Sequence, residues 1–264
     1  MDNNNPGQNN PYAPPSANVD EGDQDFDHAA NFLPEGQIIP IGVIPGLFSE
    51  AWEIFWRQPG PWIGCGLLFL LICGLCGCIP IGGQVIGALM LGGLMITCAR
   101  ARDTGVVEFG DLFAGFQTHG SPLAIFGLIQ AGFYYVIYGP FAISQLVLTF
   151  TAAHDHNLIV IVKILALIAQ AVGAFILGLS NFAGPSLIVF HGFKPFDAFK
   201  TSLSAWFKNW GFGLLFGLLA LLILAVGVVA CCLGFLVAFP ISVIANYLVY
   251  RAIFLAGNRT TISD

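Results

Sequence analysis

The chain has 264 residues, of which 56% are hydrophobic and only 9% charged, with a mean hydropathy of +0.80. Soluble domains carry about 25% charged residues, so this composition excludes an ordinary soluble domain and makes the chain an integral membrane protein. The formal net charge of −6 excludes a basic nucleic-acid-binding surface. Much of that charge is local: seven of the fifteen acids (Asp2, Asp20, Glu21, Asp23, Asp25, Asp27 and Glu35) fall in the first 35 residues, which hold no Lys or Arg.

Residues 1–36 are rich in Asn, Pro and Asp and poor in apolar side chains. Such a segment cannot bury enough surface to offset its ordering entropy, so it is expected to be a disordered acidic tail. It lacks the basic start and apolar core of a signal peptide. The membrane domain is expected over 43–257.

Apolar runs long enough to cross a bilayer, about 20 residues, occur at 61–79, 83–102, 121–150, 158–182, 211–232 and 236–256. The second and sixth follow their predecessors after tight turns, at "CIPIGG" and "CCLG". The reading is therefore all-α, with six transmembrane helices arranged as three hairpins. Before the first, third and fifth spans lie the segments "GLFSEAWEIFWR", "FGDLFAGFQ" and "PFDAFKTSLSAWFKNW". Each places apolar residues at helical spacing: Phe48, Ala51, Trp52 and Phe55; Phe109, Leu112, Phe113 and Phe116; Phe196, Phe199, Leu203, Trp206 and Trp210. These stripes predict amphipathic helices lying at the membrane surface. All five tryptophans (Trp52, Trp56, Trp62, Trp206 and Trp210) are expected at that interface.

The unit of interfacial helix, span, turn and span thus occurs three times, at about 43–104, 106–192 and 193–257, an approximate threefold internal repeat. The first and third units superpose without gaps at an offset of 151, so that "FWRQPG" (55–60) falls on "WFKNWG" (206–211). The middle unit has longer spans, with kinks expected at Gly139-Pro140 and Gly184-Pro185. Eight of the nine cations, Arg57, Arg100, Arg102, Lys194, Lys200, Lys208, Arg251 and Arg259, flank the spans on one side. The positive-inside rule then places both termini in the cytoplasm of a multi-pass protein.

Candidate sites are few. Between residues 61 and 191 the only acids are Asp103, Glu108, Asp111 and Asp155, all at span ends or in loops. A carboxylate relay across the bilayer therefore has nothing to run on, and no catalytic constellation or enzymatic activity is expected. Lys163, some five residues into the fourth span, reads either as an anion or lipid-headgroup ligand or as a snorkelling side chain. Gln130 and Gln170 could join it in lining a polar cavity, or could serve as interhelical hydrogen-bonding groups. Asp111 and Asp197 sit where a carboxylate could cap an interfacial helix. His154, Asp155 and His156 form a turn whose two readings are a metal contact and ordinary polar loop.

The stretch "CGLCGC" at 73–78 is spaced like the start of a metal or redox site. On a helix, however, Cys73 and Cys76 share a face that Cys78 does not. Cys231 and Cys232 lie at the matching turn of the third unit, so Cys76, Cys78, Cys231 and Cys232 are candidates for a disulfide on an oxidising outer side. The competing reading is that they serve as small apolar side chains. No metal and no cofactor are expected. Gly83/Gly87 and Gly213/Gly217 are GxxxG pairs suited to close helix packing, within the chain or between copies. The expected partners are membrane lipids, together with a candidate protein partner at the tail or the interfacial helices.

The segments "FWRQPGPW", "RARDTGVVEFGDLFAGF" and "GPSLIVFHGFKPFDAFKTSLSAWFKNWG" together resemble a diffuse group of bacterial six-span proteins. That group includes the membrane domain attached to some glycerophosphodiester phosphodiesterases, and stand-alone relatives. The resemblance covers about residues 43–257 and implies the architecture. It implies no activity, because the phosphodiesterase domain is a separate barrel for which this chain has no room. The function expected is that of a non-catalytic membrane protein in envelope or lipid homeostasis, or a scaffold. The alternative is a facilitator for a small apolar or zwitterionic substrate.

Overall fold

A computed structural model describes residues 32–77, 79, 81–150, 156–229 and 233–255. Ten helices follow in chain order among the described residues: α1 (Ile44–Arg57), α2 (Pro59–Cys76), α3 (Gly82–Thr104), α4 (Ala114–Gln117), α5 (Gly120–Phe150), α6 (His156–Asn181), α7 (Gly184–His191), α8 (Pro195–Lys208), α9 (Trp210–Val229) and α10 (Leu233–Phe254). Six stretches are long and apolar enough to span a membrane: α2, α3, α5, the combined run of α6 and α7, α9 and α10. The chain is a polytopic, all-helical membrane protein.

Local chemistry explains where the helices stop. Gln58 precedes Pro59, and a residue before proline is pushed out of the helical region. It sits at φ −146°, ψ 69°, separating α1 from α2. Helix α3 ends where Gly105 takes φ +74°, a left-handed position that suits glycine. The expected break at Gly184-Pro185 is present: α6 stops at Asn181 and α7 restarts with Pro185 in its first turn. The gap is closed from α8. The Ser202 hydroxyl accepts the Ala183 N–H at 3.0 Å and donates to the Leu179 carbonyl at 2.8 Å. Helix α5, by contrast, runs through Pro140 as one element.

Helices α3 and α10 form the buried centre. They touch each other, and around them pack α1, α2, α5, α7 and α9. Their inward side chains, among them Met90, Leu94, Tyr247, Tyr250 and Phe254, are fully enclosed. Helices α5 and α6 pack along one another, and their far halves leave Val136, Ile143, Ile161 and Leu167 uncovered. The tightest approach joins α3 to the 3-10 turn at Phe109–Phe113: a Cβ on Gly93 would overlap the main-chain carbonyl of Leu112.

The helices before the spans are amphipathic, but only part of each stripe turns inward. Helix α1 packs Ile44, Leu47, Ala51, Ile54 and Phe55 inward, largely against α10, and leaves Trp52 and Trp56 exposed. Helix α8 buries Phe199 and Trp206 and exposes Phe196. The apolar arc of each helix is wide enough to serve two contacts, one with protein and one with the outside. Trp62 departs furthest from its expected place, lying in the core. The middle segment is a 3-10 turn followed by the single helical turn α4, not a regular α-helix.

Residues 1–31 of the expected tail lie outside the described residues. Its last part, from Phe32, lies across the end of α10. Leu33 and Gln37 donate their N–H groups to the carbonyls of Phe254 and Ile253, each at 2.8 Å, and the Gln37 side chain donates to the Ala252 carbonyl at 2.7 Å. These are the carbonyls that a helix C-terminus leaves unpaired. Asn209, between α8 and α9, holds the same segment by accepting the Ile39 N–H at 2.9 Å and donating to the Gln37 carbonyl at 3.1 Å.

Candidate functional site

Gln130, Gln170 and Lys163 are spread along the molecule. Gln130 on α5 is buried, and its Nε2 donates to Ser180 Oγ at 2.6 Å and to Asn181 Oδ1 at 2.8 Å. Asn246 on α10 donates to the Asn181 carbonyl at 3.4 Å, so amides and a hydroxyl stitch α5, α6 and α10 together. Gln170 lies ten residues from Ser180 on the same helix, about 15 Å away at helical rise. It is exposed and hydrogen-bonds the Tyr134 side chain. Lys163 is a further seven residues along α6, about 10 Å, and is also exposed.

Cys73 and Cys76 hold free thiols near the end of α2. Cys78, Cys231 and Cys232 lie outside the described residues, and with them the candidate disulfide. His154, Asp155 and the side chain of His156 do so too. Among the described residues no cluster of His, Cys, Asp and Glu is suited to a metal ion.

The end of the bundle that carries the cations is where charges meet. Arg100 bonds Glu108 at 2.7 Å and Asp111 at 3.1 Å, while Arg102 bonds Glu50 at 3.2 Å and Asp103 at 3.4 Å. Asp111 is buried and makes no capping bond, so it serves an ion pair with α3 instead of its own helix terminus. Its Oδ2 has no hydrogen-bond partner. Burial raises the Asp111 carboxyl above its ordinary value; Arg100 opposes this and Glu108 adds to it. Asp197 likewise makes no capping bond to α8, though it sits in the first turn. Near the end of α10, Arg251 is buried with its Nη1 donating to the Tyr247 hydroxyl at 3.3 Å.

Among the described residues, two of the cavities are apolar and open between helices. The larger, about 570 Å³, lies between the second half of α6 and the first half of α9. Gly178 of α6 and Gly217 of α9 form its walls, Trp206 of α8 also lines it, and Asn246 of α10 is the polar point on its lining. The Trp206 ring meets Phe175 edge-on with centroids 5.4 Å apart, and it occupies the space a side chain at Gly213 would need. A Cβ at Gly178 or Gly217, however, would meet nothing within 4 Å. The glycines of the Gly213/Gly217 pair thus admit a side chain and leave a space; neither brings in a second backbone. The smaller cavity, about 420 Å³, is lined by Ile81, Leu128, Ala131, Gly132 and Tyr135.

The groove and the Ser202 clasp were missed in the sequence. The GxxxG pair Gly213/Gly217 marked one wall, but nothing in it distinguishes a packed face from an open one. The Arg100–Asp111 pair had a weak signal, two opposite charges on either side of a short loop. Compared with family models, curated proteins and solved structures, the chain matches none.

Proposed function

We propose that this is a non-catalytic protein of a bacterial cytoplasmic membrane, with both termini cytoplasmic, acting in envelope or lipid homeostasis or as a scaffold. The observation that carries this reading is a belt of exposed aromatic side chains at the cationic end. Trp52, Trp56, Phe109, Phe196, Phe207 and Trp210 all project outward from, or beside, the short helices and turn that precede the spans. Such rings are favoured at the level of lipid headgroups, and beside the cations they make a surface suited to anionic lipid.

The same proposal includes the threefold repeat of three hairpins and the resemblance to the membrane domain of glycerophosphodiester phosphodiesterases. Gln58 and Asn209 support the repeat. They are 151 residues apart, each separates a short helix from a span, and each side-chain oxygen accepts a passing backbone N–H, from Val107 and Ile39 respectively, at 2.9 Å. The facilitator reading has one observation in its favour: Asn246 places an amide on the lining of an otherwise apolar groove.

Purification in native lipid, with identification of bound lipids and co-purifying proteins, tests these readings. A stoichiometric lipid supports lipid homeostasis, and a stoichiometric protein supports scaffolding. Finding neither, together with solute flux through reconstituted vesicles, replaces both with the facilitator.

A further inference from the structure

We infer that the groove between α6 and α9 holds one acyl chain of a bilayer phospholipid from the leaflet at the cationic end. This deepens the lipid reading above and rests on it.

Three observations select that occupant. First, the groove is no longer than one leaflet. Its lining reaches from Gly213 to Leu221 on α9 and from Ala174 to Phe182 just past α6. Each wall is about 12 Å of helix, against about 15 Å for half of a 30 Å hydrocarbon core. A transmembrane helix from a second copy would need a seat running the full thickness.

Second, the groove has the volume and surface of a small apolar ligand site. About 570 Å³ falls within the roughly 300–1,000 Å³ typical of such sites. Apart from Asn246, whose Nδ2 is already committed to the Asn181 carbonyl, the lining side chains are aliphatic or aromatic or are absent, as at glycine.

Third, the groove is held open. Helices α6 and α9 do not pack tightly on each other; each instead packs on a sequence neighbour, α5 and α10 respectively, and both touch α8. Trp206 of α8 stands between Phe175 and Gly213 and keeps the two walls apart. In a bilayer a space open to lipid is filled by lipid, and a lining of glycines on both walls lets one chain sit closer to the backbone than bulk lipid does.

The test fills the groove. Gly178→Leu and Gly217→Leu each start from a Cβ with nothing within 4 Å, and each removes a helix-interior glycine, so the double variant should fold at least as well as wild type. Full-length protein is equilibrated with 1-palmitoyl-2-oleoyl-phosphatidylglycerol in detergent, stripped by repeated washing and weighed by native mass spectrometry. Wild type should retain one phospholipid per chain, and the double variant at least tenfold less. Gly132→Leu, which fills the smaller cavity instead, should retain the wild-type amount. Melting temperatures of all three proteins confirm that they are folded.

Equal retention by wild type and the folded double variant overturns the groove assignment while leaving the lipid reading intact. A wild type that leaves the wash as a lipid-free dimer overturns it in favour of a second copy. A wild type that holds no lipid, even when taken directly from its own membranes, overturns both.

Discussion

Helices α9 and α10 are neighbours in sequence and in space, yet the membrane treats them oppositely. The span in α9 has a mean hydropathy of 2.6 and is 22% buried within the protein, whereas that in α10 has 1.6 and is 67% buried. In water the more apolar helix would be the core. In lipid there is no hydrophobic force between helices, since acyl chains are as apolar as leucine, and association rests on packing and polar contacts. Helix α10 therefore carries Asn246, Tyr247, Tyr250 and Arg251, which need protein partners, while α9 presents Leu214, Leu218, Leu221 and Leu222 outward. The same contrast separates α3 from α6: their most apolar stretches have hydropathies of 1.6 and 2.5 and are 56% and 17% buried.

That contrast can be broken by attacking the centre. Gly93→Val drives a side chain into the Leu112 main chain, which cannot move aside as a rotamer would. A loss of about 3 kcal/mol or more is expected, seen as a sharply lower melting temperature and poor yield after extraction. Arg100→Met should cost nearly as much, about 3 kcal/mol, because it leaves the Asp111 carboxylate buried without its cation. Adding Asp111→Leu to that variant should restore most of the loss, and a double-mutant cycle measures the difference. Ser202→Ala unpairs the Ala183 N–H and leaves the Leu179 carbonyl with only the longer bond from the Phe182 N–H at 3.4 Å, and is expected to cost about 2 kcal/mol.

Smaller effects sharpen the comparison. Asp111 has its pKa raised in the fold, so the stability it contributes is fully present below its ordinary value and is lost as pH rises through the raised one. Wild type should therefore gain melting temperature relative to Asp111→Asn as the pH falls from neutrality towards the ordinary carboxylate range. A flat difference between the two proteins would show that Asp111 does not titrate with folding. At the outer limit, Leu221→Ala on α9 should change stability by less than about 0.5 kcal/mol. A large loss there would mean that the lipid-facing surface of α9 is covered by protein.

The span positions were legible because the signal for crossing a bilayer is one-dimensional: a length of apolar chain ended by charge, proline or glycine. Each expected span agrees with an observed helix to within a few residues. The break at Gly184-Pro185 was legible for the same reason, since proline acts on its own backbone. The wide apolar arcs of α1 and α8 were legible as amphipathic, but not which part of each arc would meet protein. Ala51 and Phe55 went inward while Trp52 and Trp56 stayed out, a choice set by where α10 lies.

By itself, then, the sequence determined the class of solvent, the number and ends of the spans and the segregation of cations to one end. These depend only on local transfer energies and backbone sterics. Tertiary structure alone decided that α3 and α10 are central, that Gly93 rather than a GxxxG glycine marks the closest approach, and that Gln130 meets Ser180 and Asn181 while Gln170 and Lys163 lie apart. It also decided that Gly178 and Gly217 face an open groove. Between helices of nearly equal hydropathy the bilayer expresses little preference, so their arrangement is set by shape and by a few polar contacts. Neither exists until the helices have met.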